Sequence, residues 1–271
     1  SLVRLNEDEI NGLTNKFGLI IVDECHHLPA KTFRDIISKF NSYYLYGLTA
    51  TPKRKYNDEK LIYHYLGDVI ATIDQNYQNE ILTQKALTPV NICNTQFSVP
   101  FDYQIDQFET VSKILIFDTT RNSLICQHIS KEILNGRKIL ILTERKEHVD
   151  VLNLYLKNHA EIITLIGDDS ETKRKLKIAQ IIAGNFQVLI TTGQMFGEGM
   201  DFKEFNCLFL VYPFSFEGKL IQYLGRIQRT ETDKIIYDYR DINISFFGKL
   251  FKNRLKYYKK LSGASIVEIQ Q

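Results

Sequence analysis

Paired cysteines and long apolar runs are the first features that the sequence lacks. Its four cysteines, at positions 25, 93, 126 and 207, include no Cys-x-x-Cys pair. Such scattered cysteines argue against a zinc site or a disulfide framework, and they fit the reducing cytoplasm. The longest apolar block, Cys207–Phe214, is far shorter than the ~20 residues that a membrane span requires. Because no basic-then-apolar leader begins the chain either, the sequence predicts a soluble, cytoplasmic protein without a membrane partner.

A strong charge of one sign is also missing, since the formal net charge is only +2 over 271 residues. Affinity for nucleic acid therefore cannot be argued from the total charge. Basic residues do cluster in three stretches, Lys53–Lys55, Lys173–Lys177 and Lys249–Lys260. Each stretch can contact phosphates or form a solvated helix face, and the sequence favours the solvated face for any one of them alone.

No phosphate-binding loop of the form Gly-x-x-x-x-Gly-Lys-Ser/Thr occurs in the chain. In that loop, backbone N–H groups cradle the phosphates of a nucleotide and the lysine reaches the outer ones. Two explanations stay open: the chain is a fragment whose first half-domain lies upstream, or it is a degenerate domain that does not bind ATP. The strand predicted at residues 18–22 favours the fragment, because too few strands precede it to pair with its edges.

The stretch Leu19–His26 is an apolar run that ends in two carboxylates. Apolar residues without polar alternation predict a strand buried on both faces, as in a parallel sheet covered by helices. The carboxyl end of such a strand faces the ligand crevice, so Asp23 and Glu24 are placed for the phosphates and metal of a nucleotide. We expect Asp23 to hold Mg²⁺ through its water ligands and Glu24 to orient the attacking water. The alternative is a pair of solvated acids that caps the next helix.

A second strand, predicted at Tyr43–Leu48, ends in the small hydroxyl segment Thr49-Ala50-Thr51. A helix with apolar residues at helical spacing separates this strand from the acid pair. As an isolated triplet, the segment is only a strand end and a turn.

The remainder of the chain alternates helices and strands, which predicts right-handed crossovers and a parallel sheet. Strands are predicted at residues 68–73, 89–97, 138–143, 161–165, 187–191, 207–212 and 235–239, and helices at 57–66, 77–86, 121–134, 146–157, 171–183, 219–224 and 246–261. Val99-Pro100-Phe101-Asp102 interrupts this pattern, so we place an interdomain linker near residues 98–103. The sequence therefore predicts an α/β fold with two domains, residues 1–98 and 99–271.

Two further segments of the second domain carry candidate chemistry. Thr191–Asp201 follows an apolar strand. Its glycines let the backbone approach a ligand, and Asp201 is a candidate acceptor for a ribose hydroxyl. Gln222–Arg229 places Arg226 and Arg229 on one helical face, where two guanidinium groups can stabilise negative charge on a transferring phosphoryl group. Taken alone, the first segment can be a surface loop and the second an ordinary helix.

Together these segments resemble the motifs of superfamily 2 helicases. Asp23-Glu24-Cys25-His26 looks like the DExH box of the first domain, and Thr49-Ala50-Thr51 looks like the third motif. In the second domain, Leu140–Arg145 with His148 resembles the fourth motif, Thr191–Asp201 the fifth and Gln222–Arg229 the sixth. The last of these matches Gln-x-x-Gly-Arg-x-x-Arg at every fixed position, and the resemblance covers nearly the whole chain.

The resemblance implies two RecA-like parallel-sheet domains, the first incomplete at its N-terminus, with ATP and Mg²⁺ as cofactors and nucleic acid as the partner. The residues implied to be catalytic are Asp23, Glu24, Arg226 and Arg229, with Asp23 on the metal. The residues implied to contact the nucleotide are Asp23, Glu24, Gly199, Asp201, Gln222, Arg226 and Arg229. A coupling role falls to His26, Thr49, Ala50 and Thr51, and nucleic-acid contacts fall to Thr191, Thr192, Gly193, Lys53 and Arg54.

The glutamine of the sixth motif and the Glu-Gly-x-Asp of the fifth look more like the branch of XPB, UvrB and restriction-enzyme translocases than like DEAD-box RNA helicases. This likeness favours DNA over RNA. Three functions stay open: an ATP-dependent DNA helicase or translocase of which this chain is the carboxyl-terminal portion, the translocase portion of a restriction or defence system, and a non-catalytic nucleic-acid-binding remnant. In the first two cases we expect the 271 residues alone to hydrolyse ATP negligibly.

Overall fold

The computed structural model describes residues 6–49, 60–72, 88–197, 205–215, 219–221, 223–224, 233–260 and 265–269. It divides into two compact units, Ser1–Asp74 and Gln75–Gln271. In the described part of the chain, no helix is both long enough and apolar enough to cross a membrane.

The first unit begins with a short helix that Asn6 caps, because the Asn6 side chain accepts from the Glu9 N–H and the Glu9 carboxylate accepts from the Asn6 N–H. This reciprocal pair is the capping box that stabilises helix N-termini. The elements of the unit are α1 (Glu7–Asn11), β1 (Leu19–Val22), a 3₁₀ turn (Cys25–His27), α2 (Lys31–Ile37), β2 (Tyr44–Gly47) and α3 (Lys60–Leu66).

Strands β1 and β2 pair in parallel, with Leu19 opposite Tyr44 and Ile21 opposite Tyr46. These four side chains share one face of the sheet, and 41–61% of each residue's surface is exposed. The prediction that the Leu19–Val22 strand is buried on both faces is therefore wrong. The reason is that the described residues supply one neighbouring strand and no second layer over this face.

The second unit contains a seven-stranded sheet. Its elements are β3 (Val90–Thr95), a 3₁₀ turn (Ile105–Gln107), α4 (Phe108–Phe117), α5 (Thr119–Leu134), β4 (Ile139–Thr143), α6 (Lys146–Leu156), β5 (Ile162–Leu165), α7 (Glu171–Ile182), β6 (Val188–Thr192), α8 (Gly193–Gly197), β7 (Cys207–Leu210), β8 (Ile235–Asp241), α9 (Ser245–Lys260) and β9 (Ile266–Ile269). Residues 219–221 and 223–224 are also helical.

The strand order is β5-β6-β4-β7-β8-β3-β9, and the described neighbouring pairs are all parallel. This topology agrees with the α/β class that the sequence predicts. Strand β3 pairs with β8, Val90 lying opposite Ile236, so a strand that the sequence assigns to the first domain belongs to this sheet. The division between Asp74 and Gln75 thus lies N-terminal to the linker predicted at residues 98–103. The sequence gives no local sign of this, because β3 and its partner β8 are 146 positions apart.

Helices cover both faces of this sheet. Along β4, Leu140 and Leu142 enter one apolar cluster while Ile139 and Ile141 enter another, as the period-two alternation of a strand requires. The first cluster includes side chains of α7 and α9, and the second includes side chains of α5 and α6. All five residues of β4 are buried, which explains the uninterrupted apolar run of its first four, Ile139–Leu142.

Two buried ion pairs attach helices to the carboxyl half of β8. Arg121 of α5 donates from Nε to Asp241, which also accepts from Thr95 at 2.6 Å. Arg254 of α9 forms two 2.8 Å hydrogen bonds with the Asp238 carboxylate. Because a charge left unpaired inside a protein is costly, each arginine fixes the position of its helix relative to the sheet.

Several predicted elements need correction. Residues 68–72 form no strand, and helix α4 and edge strand β9 arise where the sequence predicts no regular structure. The helix predicted at residues 77–86 lies outside the described residues. Most of the other elements are found with ends shifted by one or two residues, the usual uncertainty of element boundaries.

A buried histidine links α6 to the end of β4. His148 is fully buried, with Nδ1 3.0 Å from the Thr143 hydroxyl and Nε2 3.2 Å from Asn122 Oδ1. Asn122 donates its amide to the Ile116 carbonyl, so its oxygen accepts the Nε2 hydrogen of a neutral imidazole. Burial, together with the positive charge of Arg121, holds the pKa of His148 well below its ordinary range.

This lowered pKa predicts a loss of stability in mild acid. The unfolded chain binds a proton at position 148 below about pH 6.5, whereas the folded unit keeps the imidazole neutral. Stability is therefore constant above that pH and falls below it, by about 1 kcal/mol between pH 6.5 and 5.5 for one group. Urea unfolding of the wild type and His148→Gln at both pH values measures the effect, and the variant should lose most of this pH dependence. Equal slopes in the two proteins would contradict the assignment.

Candidate functional site

The two acids of the first unit lie where the sequence places them, directly after β1. Asp23 is exposed and Glu24 is half-buried, and the Asp23 carboxylate accepts a 2.9 Å hydrogen bond from the Glu24 N–H. Glu24 has a left-handed backbone conformation, with φ 49° and ψ 45°. That conformation costs a residue with a side chain about 1–2 kcal/mol, and strained residues of this kind cluster at functional sites.

A histidine joins this acid pair to the end of the second strand. His26 Nδ1 lies 3.1 Å from a Glu24 carboxylate oxygen and 3.0 Å from the Thr49 hydroxyl. The two partners stand at the carboxyl ends of β1 and β2. One imidazole nitrogen thus lies within hydrogen-bond distance of both strand ends, and its hydrogen-bonding role depends on its protonation and tautomer.

Backbone contacts hold the same two strand ends together. The Leu48 N–H donates to the Val22 carbonyl, and the Cys25 N–H donates to the Leu48 carbonyl, both at 2.9 Å. Gly47 makes this approach possible, because a Cβ there would lie 2.5 Å from Leu66 Cδ1 and 2.8 Å from the Cys25 sulfur. Cys25 is buried, and burial raises the pKa of its thiol, so it serves as a packing residue.

The donor chemistry at this edge fits Mg²⁺. The carboxylates of Asp23 and Glu24 are the hard oxygen ligands that this ion prefers, and Mg²⁺ commonly uses only one or two carboxylates together with water and substrate phosphates. Among the described residues, no group of three or more His, Cys, Asp and Glu side chains forms a metal cage. A nucleotide-borne Mg²⁺ that Asp23 contacts through water is compatible with this arrangement.

In the second unit, the predicted nucleic-acid contacts occupy unequal environments. Thr191 is completely buried, and its hydroxyl donates a 2.7 Å hydrogen bond to the Leu165 carbonyl. Thr192 is half-buried at the end of β6. The Thr191 hydroxyl is thus occupied by a hydrogen bond within the sheet, and Thr192 is the threonine of the pair that is accessible to solvent.

Gly193 is buried against a tyrosine. A Cβ at this position would lie 1.8 Å from the Tyr223 hydroxyl oxygen and 2.6 Å from Glu144 Oε1. Tyr223 donates to Glu144 at 3.1 Å, and Lys219 donates to the same carboxylate at 2.5 Å. Burial, reinforced by the Glu144 charge, raises the pKa of Tyr223, so the phenol stays protonated and remains a donor.

Sequence reasoning did not give roles to Glu144, Lys219 or Tyr223. Glu144 lies in the segment that resembles the fourth motif, and Tyr223 occupies a variable position of the sixth. Their pairing joins three of the motif segments, because Gly193 opens α8 in the fifth. The contact between Glu144 and Tyr223 beside Gly193 cannot be predicted from the spacing of these residues in the sequence, and it becomes visible only in the fold.

The remaining predicted site residues lie outside the described part of the chain. They are Ala50, Thr51, Lys53 and Arg54 in the first unit and Gly199, Asp201, Gln222, Arg226 and Arg229 in the second. Their roles stay predictions from the sequence.

Two family models match the chain, one within each unit. Residues 2–54 match "Type III restriction enzyme, res subunit", and residues 120–231 match "Helicase conserved C-terminal domain". The first range contains both strand ends that His26 links. The second contains Glu144, Gly193 and Tyr223.

Known proteins resemble the chain over most of its length. A protein of Acanthamoeba polyphaga mimivirus that is named as an ATP-dependent RNA helicase is 28% identical over 96% of this chain and 50% of its own length. The DNA 3'-5' translocase XPB2 of Sulfurisphaera tokodaii is 23% identical over 80% of this chain and 57% of its own. The structure of Saccharomyces cerevisiae Dbp5 bound to RNA and ADP BeF3 aligns with a TM-score of 0.61 at 15% identity, covering 96% of this chain and 63% of that one. The chain thus spans about half the length of the curated relatives it matches.

The close approach at Gly193 yields a prediction. Gly193→Ala places a methyl group inside the Tyr223 phenol, and such overpacking should lower the free energy of unfolding by roughly 1–3 kcal/mol. Combination with Tyr223→Phe, which removes the colliding oxygen, should recover part of the loss in a double-mutant cycle.

Gly248→Ala is the matched control, because an added Cβ there meets no atom within 4 Å. It should leave stability unchanged or raise it, since alanine favours a helix. Urea unfolding measures all four variants. An unaffected Gly193→Ala protein, or strictly additive losses in the cycle, would contradict the contact.

Proposed function

The chain belongs to the superfamily 2 helicases, and we propose that the complete protein is an ATP-dependent helicase or translocase that moves along nucleic acid. Its fold is RecA-like, and the sequence of the chain contains no Walker A loop. The first unit is proposed to contribute to the ATP-binding domain, and the second to form the helicase C-terminal domain.

The observation that carries this proposal is the hydrogen-bonded link from Glu24 through His26 to Thr49. It connects an acid at the end of one strand with a hydroxyl segment at the end of the next. A structural acid pair that only caps a helix has no need of this link. An enzyme that couples hydrolysis to movement does need a connection between the reacting water and a mobile segment.

In the proposed mechanism, Asp23 would hold Mg²⁺, and the Glu24 carboxylate orients the attacking water. When bound, Mg²⁺ neutralises negative charge on the phosphates. Arg226 and Arg229 stabilise the charge that develops on the transferring phosphoryl group. The nucleotide is positioned by Gly199, Asp201 and Gln222.

Coupling between hydrolysis and movement is assigned to His26, Thr49, Ala50 and Thr51. Contacts with the nucleic-acid backbone are assigned to Thr192 and, in the first unit, to Lys53 and Arg54. Thr191 and Gly193 shape the end of the strand behind Thr192. Backbone contacts of this type are independent of base sequence and weaken as salt rises.

DNA is the proposed substrate. Among the relatives, one is named as an RNA helicase and another as a DNA translocase, so relatedness alone supports nucleic acid in general. The preference for DNA depends on the Glu-Gly-x-Asp and Gln-x-x-Gly-Arg-x-x-Arg segments and on the restriction-enzyme model that matches residues 2–54. A cytoplasmic location is proposed from the scattered cysteines.

The exposed apolar face of β1 and β2 supports a longer protein. Leu19, Ile21, Tyr44 and Tyr46 form this face, and contiguous apolar surface of this kind is normally covered. We propose that further strands and helices of the complete protein cover it and bring the phosphate-binding loop to Asp23 and Glu24. On this account, the 271 residues alone lack the ATPase site's phosphate loop.

A second candidate is the translocase portion of a restriction or defence system. The match of residues 2–54 to the res subunit model favours it. Such a motor moves on duplex without separating the strands. Strand-displacement and duplex-translocation assays on the complete protein distinguish the two activities.

Glu24→Gln tests the catalytic proposal. The glutamine keeps an oxygen that can accept from His26, but it loses the negative charge that orients and activates water. In the complete protein, the turnover number for ATP should fall about 10²-fold or more, while the dissociation constant for ATP stays within a few-fold of wild type. Steady-state hydrolysis and nucleotide-binding titrations measure the two quantities.

The exposed Glu161→Gln in the second unit is the control and should leave both quantities unchanged. Full turnover in Glu24→Gln would contradict the catalytic role. A parallel loss of nucleotide binding and folding stability would make Glu24 a structural residue instead.

A further inference from the structure

Helix α9 separates its basic residues into a buried and an exposed set. Its sixteen residues, Ser245–Lys260, contain no aspartate or glutamate. Arg254 is turned inward, where Asp238 neutralises it and the rings of Phe214 and Phe251 cover it. The one arginine of the helix therefore serves the core, and the solvent face belongs to lysines.

Four exposed lysines line that face, at positions 249, 252, 256 and 259. Their spacing of three, four and three residues confines them to an arc of about 80° and extends them over about 15 Å of helix. We call this set, Lys249, Lys252, Lys256 and Lys259, the lysine stripe. Within the part of the chain that the structure describes, none of the four forms an ion pair.

The basic helix α7 provides a contrast. There Lys175 pairs with Glu171 at 2.8 Å, and Lys177 pairs with Asp169 at 2.7 Å. Its charge is partly neutralised by the protein itself. In the lysine stripe the like charges repel one another without such compensation, an arrangement that favours an external polyanion.

The lysine stripe lies apart from the two threonines of the fifth motif segment in the second unit. Helix α9 packs on β8, whereas Thr191 and Thr192 end β6. Two strands, β4 and β7, lie between β6 and β8. At about 4.8 Å per strand, the two regions are separated by roughly 14 Å along the sheet, so the stripe contacts a different part of any bound nucleic acid.

We propose that the lysine stripe binds the phosphate backbone of duplex DNA. Duplex DNA carries one charge per about 1.7 Å of axis, which supplies several phosphates over the length of the stripe. Single-stranded nucleic acid is normally held by stacking on aromatic side chains, and the exposed positions of α9 carry Ser245, Asn253 and the lysines rather than exposed aromatic rings. The stripe thus binds duplex DNA next to the motor through charge alone, without base-specific contacts.

This inference goes beyond the proposed motor function, because it needs neither ATP nor the motif residues. It is tested with the nucleotide-free 271-residue chain and a labelled duplex of ~20 bp, by fluorescence anisotropy between ~50 and ~200 mM salt. The stripe variant replaces all four lysines by glutamine. The charge-matched control replaces Lys16, Lys113, Lys131 and Lys157, four exposed lysines elsewhere on the chain.

The stripe variant should bind duplex at least ten-fold more weakly at ~50 mM salt, and its slope of log affinity against log salt should be smaller by about 3. The control should keep the wild-type slope. Both variants should unfold at the wild-type urea midpoint, since all eight lysines are exposed.

Three results would overturn the proposal. The first is an equal loss of duplex affinity in the stripe and control variants. The second is a loss confined to single-stranded oligonucleotide of the same length, which would make the stripe a single-strand site. The third is a stripe variant that binds duplex DNA with the affinity of the wild type. That result would indicate an acidic protein surface as the partner of α9 instead.

Discussion

Parallel hydrogen bonding between strands determines which polar segments lie together in each unit. Strands that run in the same direction end at the same edge of a sheet, so the polar segments that follow them are brought together. In the first unit this places Asp23 and Glu24 beside Thr49, with β1 paired to β2. In the second unit it places Glu144 beside Gly193, with β4 paired to β6. Residues far apart in sequence become one chemical surface.

Side-chain hydrogen bonds then turn proximity into linkage. His26 connects the two strand ends of the first unit, and Glu144 collects donors from Lys219 and Tyr223 in the second. Both links join segments that resemble different helicase motifs. In a motor, hydrolysis and movement must be coupled through elements of this kind that have more than one arrangement. Each unit therefore holds a connected polar group at the edge where the motifs lie.

Sequence reasoning recovered the parts of the fold that are encoded locally. The apolar run of β4 predicts a buried strand, and the alternation of helices and strands predicts a parallel sheet; the structure contains both. It also located the acids at the end of β1. These features depend on periodicity and on strand ends, which a single sequence displays.

The features that it missed depend on partners far away in the chain. Whether Val90–Thr95 belongs to one sheet or the other is decided by its pairing with β8. The exposure of Leu19 and Ile21 reflects which layers are present, not the residues themselves. The orientation of Thr191 toward the Leu165 carbonyl and the fit of Gly193 against Tyr223 are likewise properties of packing. None of these follows from spacing.

We propose that these units are parts of an ATP-driven motor whose phosphate loop is supplied by the rest of the protein. The most direct measurement compares ATP hydrolysis by the 271-residue chain with hydrolysis by the complete protein, each with and without duplex DNA. We expect negligible turnover by the chain under both conditions and DNA-stimulated turnover by the complete protein. Equal turnover by the chain and the complete protein would contradict this proposal, and so would turnover by the complete protein that does not change when duplex DNA is added.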